Sequence, residues 1–347
     1  MKNDIKNEKE KIINYYIDNP NLKYRKSLYI NDKSFESFSL NRFDYFILNK
    51  IIYIAVPNVF CFNSNPLSIY KLNKFFNLEK ILSLEGHKSQ IILVKNFFDK
   101  KNNKNILLTS DTFPLVLIWE IENENSIIIK FTISIYYLGE ILSALILFEP
   151  KNKIILTSNV KSLNSCEFSL SSGNFIRYIE GTNNETYYIL DYKDYIIELC
   201  LDKIYFYNIS NKNETYTIKN EHTKDKNIYG HINENTLFVN NFSNGKILII
   251  NLNNKTIINT INTNQSENLF SLICWNKNYL IGTDIKNQCL YIIDTLQMII
   301  INKIKTKINP MYIKKINLSR DLYQIDKILL ILDNKLAFEI WIRRNCI

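Results

Sequence analysis

Glycine and proline are scarce in this sequence, which has 7 Gly and 6 Pro among 347 residues. Other residues must therefore make most of the turns, and Asn, Asp and Lys are expected there, with Asn tolerating left-handed backbone geometry. So few glycines leave little room for phosphate-cradling loops. The short motifs of nucleotide-binding enzymes, serine hydrolases and zinc proteases are also missing from the sequence. These enzyme classes therefore have no support.

Histidine and cysteine are the next shortage. His87, His222 and His231 lie far apart, and the six cysteines include no C-x-x-C pair. Zinc sites and small disulfide frameworks both need tighter spacing, so we expect no metal and no cofactor. The thiols are predicted to be free and buried, in a reducing compartment. Since the amino terminus is polar and shows no secretory signal, the expected location is cytoplasmic or nuclear.

Apolar residues, by contrast, are abundant. They make up 46% of the chain, with 22 Tyr and 20 Phe, which is enough for a sizeable core. Residues 131–148 contain a single charge, Glu140, and have the length of a membrane span. Gly139 and Glu140 divide this segment into two β-rich halves, so we interpret it as two strands and expect no membrane span.

The formal net charge is +9, and a basic surface can meet nucleic acid, anionic lipid or an acidic protein. Lysines are scattered through the turns, without the Arg and aromatic clustering of a nucleic-acid groove. The charge therefore indicates a solvated surface, and RNA stays open as an alternative partner.

A repeat runs along the chain. Seven β-like runs each carry a large anchor residue, and successive anchors are 39 to 49 residues apart. A repeat of this length is typical of four-stranded propeller blades. Strands this short cannot bury both faces alone, so each sheet has to stack on its neighbours. The anchors are Tyr70, Trp119, Phe168, Tyr207, Ile250, Ile293 and Trp341.

The ends of the chain complement each other. Six residues follow Trp341, too few for another turn and strand, so the seventh unit lacks its outer strand. Two spare β-like runs, residues 27–31 and 34–40, precede the first unit, which begins near Phe43; either can complete the last blade. The predicted domains are an N-terminal arm over residues 1–26, helical or extended, and a propeller over residues 27–347. The helix would span residues 2–18.

Gly86-His87, then Thr109-Ser110-Asp111, then Trp119 follow one another in the second unit. In this order they resemble a WD40 repeat, in which a Gly-His pair opens the unit. In that family the His joins a Ser or Thr and a Trp in a buried hydrogen-bonded network. Asp111 lies eight residues before Trp119, and Phe113 stands six before it, where the family has its Asp. The resemblance implies a structural network made by Gly86, His87, Thr109 or Ser110, Asp111 and Trp119, with Trp341 and its Asp333 in the matching places of the last unit.

The sequence is thus identified as an all-β, divergent seven-bladed WD40-type β-propeller. The resemblance implies a scaffold or adaptor that binds protein partners in a multiprotein complex and has no catalytic residues. An accessory RNA-associated subunit, in RNA modification or ribosome assembly, is the alternative. A propeller hydrolase is a third hypothesis, disfavoured because the sequence shows no grouping of acid, base and metal ligands.

Few residues stand out as partner-binding candidates. Tyrosine suits protein contacts because it is large, rigid and amphipathic, so Tyr187, Tyr188 and Tyr192 are predicted at an interface. Arg343-Arg344 is similar to the paired arginines of phosphoinositide-binding propellers, but Asn345 rather than Gly follows, which disfavours lipid binding. The nearby carboxylates Asp191, Asp194 and Glu198 are predicted to face solvent.

Overall fold

The computed structural model is all-β in the part of the chain it describes. There, every helix-or-strand element is a strand, and 28 strands form seven four-stranded sheets. This confirms the predicted all-β fold with seven four-stranded units. The chain divides into two compact units, one of residues 33–230 and one of residues 1–32 with 231–347. The described residues are 22–29, 43–57, 66–135, 139–158, 160, 165–179, 186–200, 202–211, 214–219, 228–241, 246–262, 269–318, 327–333 and 337–343.

The unit of residues 33–230 holds four antiparallel sheets, each built from four strands in sequence order. Its first strands are neighbours: β2 contacts β6, β6 contacts β10, and β10 contacts β14. The strands are β2 (Asp44–Leu48), β3 (Ile51–Pro57), β4 (Leu67–Leu72), β5 (Leu78–Leu84), β6 (Ile91–Asp99), β7 (Lys104–Asp111), β8 (Leu115–Asn123), β9 (Ser126–Ser134), β10 (Ile141–Leu147), β11 (Lys153–Ser158), β12 (Cys166–Ser169), β13 (Phe175–Tyr178), β14 (Thr186–Tyr192), β15 (Tyr195–Cys200), β16 (Lys203–Asn208) and β17 (Thr215–Lys219).

The other unit holds three sheets, and the last of them combines both ends of the chain. In it, β1 pairs antiparallel with β28, from Leu22 opposite Arg343 to Tyr29 opposite Ala337. The strands are β1 (Leu22–Tyr29), β18 (Gly230–Asn233), β19 (Thr236–Asn241), β20 (Lys246–Asn251), β21 (Thr256–Asn262), β22 (Leu269–Cys274), β23 (Tyr279–Asp284), β24 (Cys289–Asp294), β25 (Ile299–Lys305), β26 (Tyr312–Asn317), β27 (Lys327–Leu332) and β28 (Ala337–Arg343).

The N-terminal strand β1 is thus the outer strand of the last sheet, as predicted from the sequence. β1 begins at Leu22, before the predicted domain start at residue 27, and overlaps the predicted run 27–31 only at its end. The other predicted run, residues 34–40, and the predicted helix over residues 2–18 lie outside the described residues.

Apolar side chains pack between neighbouring sheets of each unit. Leu108 and Ile118 of the second sheet share a buried cluster with Ile146 and Leu156 of the third. Within each unit, neighbouring sheets therefore cover one another, as short strands with two apolar faces require. Each predicted anchor lies on a third strand or, for the last sheet, on β28.

Residues 131–148 contain the end of β9 and all of β10, which confirms two strands. Among the described residues, no helix has the length and apolar character needed to cross a membrane.

The turns use asparagine and lysine in place of glycine. Positive φ angles occur at Asn49, Asn103 and Asn152, and also at Lys193 and Lys255. Asn reaches this conformation at lower cost than most residues with a Cβ. The composition predicted that Asn and Lys would make turns that glycine often makes, and the structure places both there. A chain with few glycines can therefore still form many tight turns.

Candidate functional site

Four buried side chains connect one loop to two strands of the second sheet. His87 lies in the loop between β5 and β6, Thr109 and Asp111 lie on β7, and Trp119 lies on β8. The His87 ring joins both β7 residues: Nδ1 is 3.0 Å from Asp111 Oδ2, and Nε2 is 2.7 Å from Thr109 Oγ1. Trp119 Nε1 donates to the same Thr109 Oγ1 at 2.8 Å. We call these four residues the His87 network.

One arrangement of protons satisfies every contact of this network. The Trp119 indole can only donate, so the Thr109 hydroxyl accepts from it, and the hydroxyl proton points to Nε2 of a neutral His87. The ring then carries its proton on Nδ1 and donates it to the Asp111 carboxylate. In this arrangement every donor has an acceptor, which a buried polar group requires because an unmade hydrogen bond is costly.

Strand alternation explains why Thr109, rather than Ser110, is in the network. Neighbouring residues on a strand point to opposite faces, so Thr109 and Asp111 share a face that excludes Ser110. Ser110 is buried, and its Oγ has no hydrogen-bond partner within the described part of the chain. Of the two residues that the family resemblance allowed, the structure therefore places only Thr109 beside His87.

Gly86 lets the loop approach the sheet. Its φ is +155°, and a Cβ built there would lie 2.8 Å from Leu117 Cδ1 and 3.5 Å from Trp119 Cη2. Leu117 is itself buried, so it has little space to move away. Glycine is therefore required at this position, immediately before His87.

The network also fixes the turn between β7 and β8. Asp111 Oδ1 accepts from Leu115 N at 3.1 Å, so one carboxylate binds both the His87 ring and the far side of the turn. Within the turn, Thr112 N donates to Gln90 O at 2.9 Å, and Phe113 N donates to Ser89 Oγ at 3.0 Å. The turn and the β5–β6 loop therefore form one hydrogen-bonded end of the sheet.

Trp341, the predicted counterpart in the last sheet, has a different partner. Its Nε1 donates to Glu339 Oε2 at 2.8 Å. Glu339 Oε1 accepts from two backbone groups of the β25–β26 loop, Lys307 N at 2.5 Å and Ile308 N at 2.9 Å. Burial raises the pKa of the Glu339 carboxyl, and these hydrogen bonds offset part of that rise. The Glu339 carboxylate thus connects the β25–β26 loop to Trp341 by hydrogen bonds, as the His87 network connects the β5–β6 loop to Trp119.

Sequence reasoning missed Glu339, although a signal was present. Glu339 stands two residues before Trp341, so an acid shares the inward face of a strand with the anchor. A carboxylate at such a position has to find buried donors, which predicts contact with the preceding loop.

A carboxylate at the end of the second strand is common to three sheets. Asp333 Oδ1 accepts from Ala337 N at 2.8 Å, as Asp111 Oδ1 accepts from Leu115 N. In the sixth sheet, Asp284 Oδ2 accepts from Tyr291 Oη at 2.5 Å, and burial together with this contact raises the pKa of Tyr291. Asp111 and Asp333 each stand eight residues before a Trp, whereas the WD40 pattern has the Asp six residues before it. At this offset the carboxylate still binds the turn between the second and third strands.

The sequence matches no family model and no curated protein. Solved structures do match. A chain of the mitotic checkpoint complex aligns with 93% of this chain and 92% of its own length, at 13% identity and a TM-score of 0.68. The WD40 β-propeller domain of Doa1 aligns with 93% of this chain and 98% of its own length, at 9% identity and a TM-score of 0.64. The chain has a WD40-type β-propeller fold. A computationally designed protein, Ika8, also aligns, with 90% and 99% coverage, 9% identity and a TM-score of 0.57.

Identities this low establish the fold alone. In this fold the seven sheets are the blades of a seven-bladed propeller, as predicted. Blades one to four are the sheets that begin with β2, β6, β10 and β14. Blades five to seven begin with β18, β22 and β26.

The three tyrosines predicted at an interface differ in exposure. Tyr187 is 2% exposed, so it has no surface to offer, and its prediction as a contact residue was wrong. It lies on β14, the first strand of its blade, which packs against β10 of the neighbouring blade. Tyr188 and Tyr192 are partly exposed, and each has a lysine over its ring: Lys95 at 5.6 Å and Lys193 at 4.8 Å.

The three carboxylates predicted to face solvent also differ in exposure. Asp191 and Asp194 are exposed, but Glu198 is completely buried on β15 and accepts from Thr186 Oγ1 at 3.2 Å. β15 is buried on both faces from Ile196 to Cys200, which alternation could not predict. Glu198 is therefore a core residue.

The remaining reactive side chains are shielded. Cys166, Cys200, Cys274 and Cys289 are free and buried, as predicted, and burial raises the thiol pKa of the first three to about 12. Such thiols are almost fully protonated at neutral pH and are weak nucleophiles. Within the described residues, no group of three or more His, Cys, Asp or Glu could hold a metal ion.

The two other histidines and the arginine pair complete the sequence candidates. His231 lies on β18, and burial together with the charges of Lys315 and Lys314 lowers its pKa to about 4. His222 and the side chains of Arg343-Arg344 lie outside the described residues.

Proposed function

We propose that this propeller is a non-catalytic scaffold that binds protein partners in a complex. The contact surface is the end of the second blade where the His87 network holds the β7–β8 turn. The observation that carries the proposal is Phe113, whose side chain is 69% exposed at the tip of the β7–β8 turn. Burying a phenylalanine ring in a partner gains roughly 1.5–3 kcal/mol relative to leaving it in water. Aromatic anchors of this kind dominate many protein interfaces.

The turn holds the backbone of Phe113 in a fixed position. The N–H groups of Thr112, Phe113 and Leu115 all have acceptors, and Pro114 O accepts from Ile135 N at 3.1 Å. A backbone that is already ordered loses little conformational entropy when a partner binds, so more of the gain from burying the ring appears as affinity. This rigidity follows from the buried His87–Asp111 contact below the turn.

The chemistry of the described residues also favours binding over catalysis. Both ring nitrogens of His87 are engaged in buried hydrogen bonds, so they are not available as an acid or base for a substrate. The thiols with raised pKa values are poor nucleophiles. Free buried thiols also suit a reducing environment, so the proposal includes a cytoplasmic or nuclear location.

Affinity capture from native extract tests the scaffold role. The tagged full chain serves as bait, and Phe113→Ser is compared with Phe75→Ser, a control at a turn in blade one with 66% exposure. We expect the wild type and Phe75→Ser to recover the same proteins, and Phe113→Ser to lose at least one of them. Recovery of the wild type only as a free monomer would contradict the scaffold role. Equal recovery by both variants would contradict the role of Phe113.

RNA association is the second candidate, favoured by the +9 formal net charge. Neutralising RNA phosphates releases bound counterions, so such binding weakens steeply as salt rises. Binding of the full chain to a single-stranded RNA at increasing salt concentration checks this. Saturable binding with a steep salt dependence supports the RNA candidate, and the absence of binding at low salt eliminates it.

A further inference from the structure

A cavity of about 610 Å³ lies along the outer strand of blade six. Five consecutive residues of β25, Ile299–Lys303, contact it, together with Asn262 at the end of β21 and Met298 in the turn before β25. Consecutive strand residues point to opposite faces, so a cavity that touches all five follows the strand's edge rather than one of its faces. We call this cavity the β25 groove.

The β25 groove combines apolar and basic surface. β25 is the last strand of its sheet, so its outer edge has no strand neighbour among the described residues. Ile299 is 48% exposed, and Ile300 and Ile301 are partly exposed. The register to β24 shifts at Ile301, and such a bulge re-aims side chains along an edge strand. Lys303, at the far end, is exposed, with its Nζ 5.1 Å from the Tyr291 ring centroid.

Both strands that line the groove come from stretches without acidic residues. Residues 235–266 and 295–320 contain no Asp or Glu, whereas the second stretch contains five lysines and one arginine. Other outer strands differ. On β9, Lys130 lies 3.6 Å from Glu120, and on β13, Arg177 lies 2.9 Å from Glu167. Asp294, opposite Ile299, is the acidic residue beside the groove, and it is buried, with its Oδ1 accepting from Leu296 N at 2.8 Å and Gln297 N at 2.9 Å. The exposed Lys303 therefore supplies the charge that faces solvent at the groove.

We infer that the β25 groove binds an extended acidic peptide segment of a protein partner. The aliphatic side chains of the segment pack on Met298 and Ile299–Ile301, and a carboxylate of the segment lies near Lys303. This inference rests on the proposed scaffold function and names a second contact surface for it, with a distinct chemistry. An extended segment suits a groove that follows one strand, because it matches the strand's length and direction.

Fluorescence anisotropy with a defined probe tests the inference. The probe is a short fluorescein-labelled peptide of alternating Leu and Glu, and a Leu–Lys peptide is the comparison. We expect saturable binding of the acidic peptide to the full chain and about tenfold weaker binding to Lys303→Glu, because reversal replaces attraction with repulsion. The matched control is Lys219→Glu, on the exposed outer strand β17 of blade four, which changes net charge equally and should leave affinity within about twofold.

Hydrogen exchange locates the bound peptide. Protection confined to β25 and the end of β21 supports the groove, and protection elsewhere overturns it. Equal affinities of the two lysine variants overturn it as well. If oligouridylate displaces the peptide and binds more tightly, the groove takes nucleic acid and the inference is wrong.

The Phe113→Ser variant separates this inference from the scaffold proposal. It should bind the peptide as the wild type does, because Phe113 lies in another blade. A chain that captures partners through Phe113 but binds no acidic peptide overturns the groove alone. Peptide binding without any captured protein would leave the groove intact and contradict the Phe113 surface.

Discussion

Thr109→Val is the sharpest perturbation of the His87 network, because valine has nearly the shape of threonine and lacks the hydroxyl. The Thr109 hydroxyl bonds to His87 Nε2 at 2.7 Å and to Trp119 Nε1 at 2.8 Å. Thr109 is 0% exposed, so water cannot replace the lost contacts without opening the blade. The substitution therefore leaves two buried polar groups without partners.

The expected cost follows from those two groups. A buried donor or acceptor that loses its partner costs about 1–3 kcal/mol, so Thr109→Val should lower the free energy of unfolding by about 2–6 kcal/mol. Thr109→Ser keeps the hydroxyl and loses one methyl group, which costs about 1 kcal/mol. Valine should thus be worse than serine, although serine differs more from threonine in size.

Urea unfolding followed by circular dichroism measures these changes, with midpoints compared at equal slope. Thr157→Val is the matched control. Thr157 is also 0% exposed, on the second strand of blade three, but its hydroxyl makes only one bond that the structure shows, to Ser143 O at 3.1 Å. We expect the control to cost about 0.5–1.5 kcal/mol. A Thr109→Val midpoint no lower than that of Thr157→Val would refute the account of the network.

Three further predictions use the same unfolding assay. Gly86→Ala should cost about 1–3 kcal/mol because its Cβ meets Leu117 Cδ1 at 2.8 Å, and Leu117→Ala added to it should cost less than the two single changes summed. Glu339→Gln should cost about 1–3 kcal/mol, since an amide has only one acceptor oxygen for donors on two sides; an unchanged midpoint would contradict this. His231 has its pKa lowered to about 4, so the unfolded chain binds a proton there first as the pH falls from about 6.5. Wild-type stability should therefore fall between pH 6.5 and 4 by up to about 3 kcal/mol more than that of His231→Asn, and parallel pH profiles would exclude it.

The blade architecture was predictable because it rests on local patterns. Each third strand carries a large apolar anchor at a regular spacing, and β-branched and aromatic residues fill short runs between turns. For example, the predicted anchors Ile250 and Ile293 are 43 residues apart and lie on the third strands of blades five and six, β20 and β24. These features depend on residues close in sequence, so the pattern of one sequence is enough to predict them.

Burial of individual polar residues was not predictable in the same way. Tyr187 and Glu198 were expected at the surface, and both are buried because a neighbouring blade or strand covers them. Strand alternation separates an inward from an outward face only when one face meets water. On β15 both faces are covered, so the period-two pattern carries no information about Glu198.

The comparison of blades two and seven explains how the fold persists at 9–13% identity to known propellers. In blade two, His87, Thr109 and Asp111 connect an incoming loop to the third-strand Trp119. In blade seven, the single carboxylate of Glu339 connects the incoming loop to Trp341. In both of these blades, buried polar groups connect the incoming loop to the indole N–H of the third strand, and two different residue sets make that connection. Sequence motifs can therefore be lost from a blade while its loop remains attached, provided that each substitution leaves no buried donor without an acceptor.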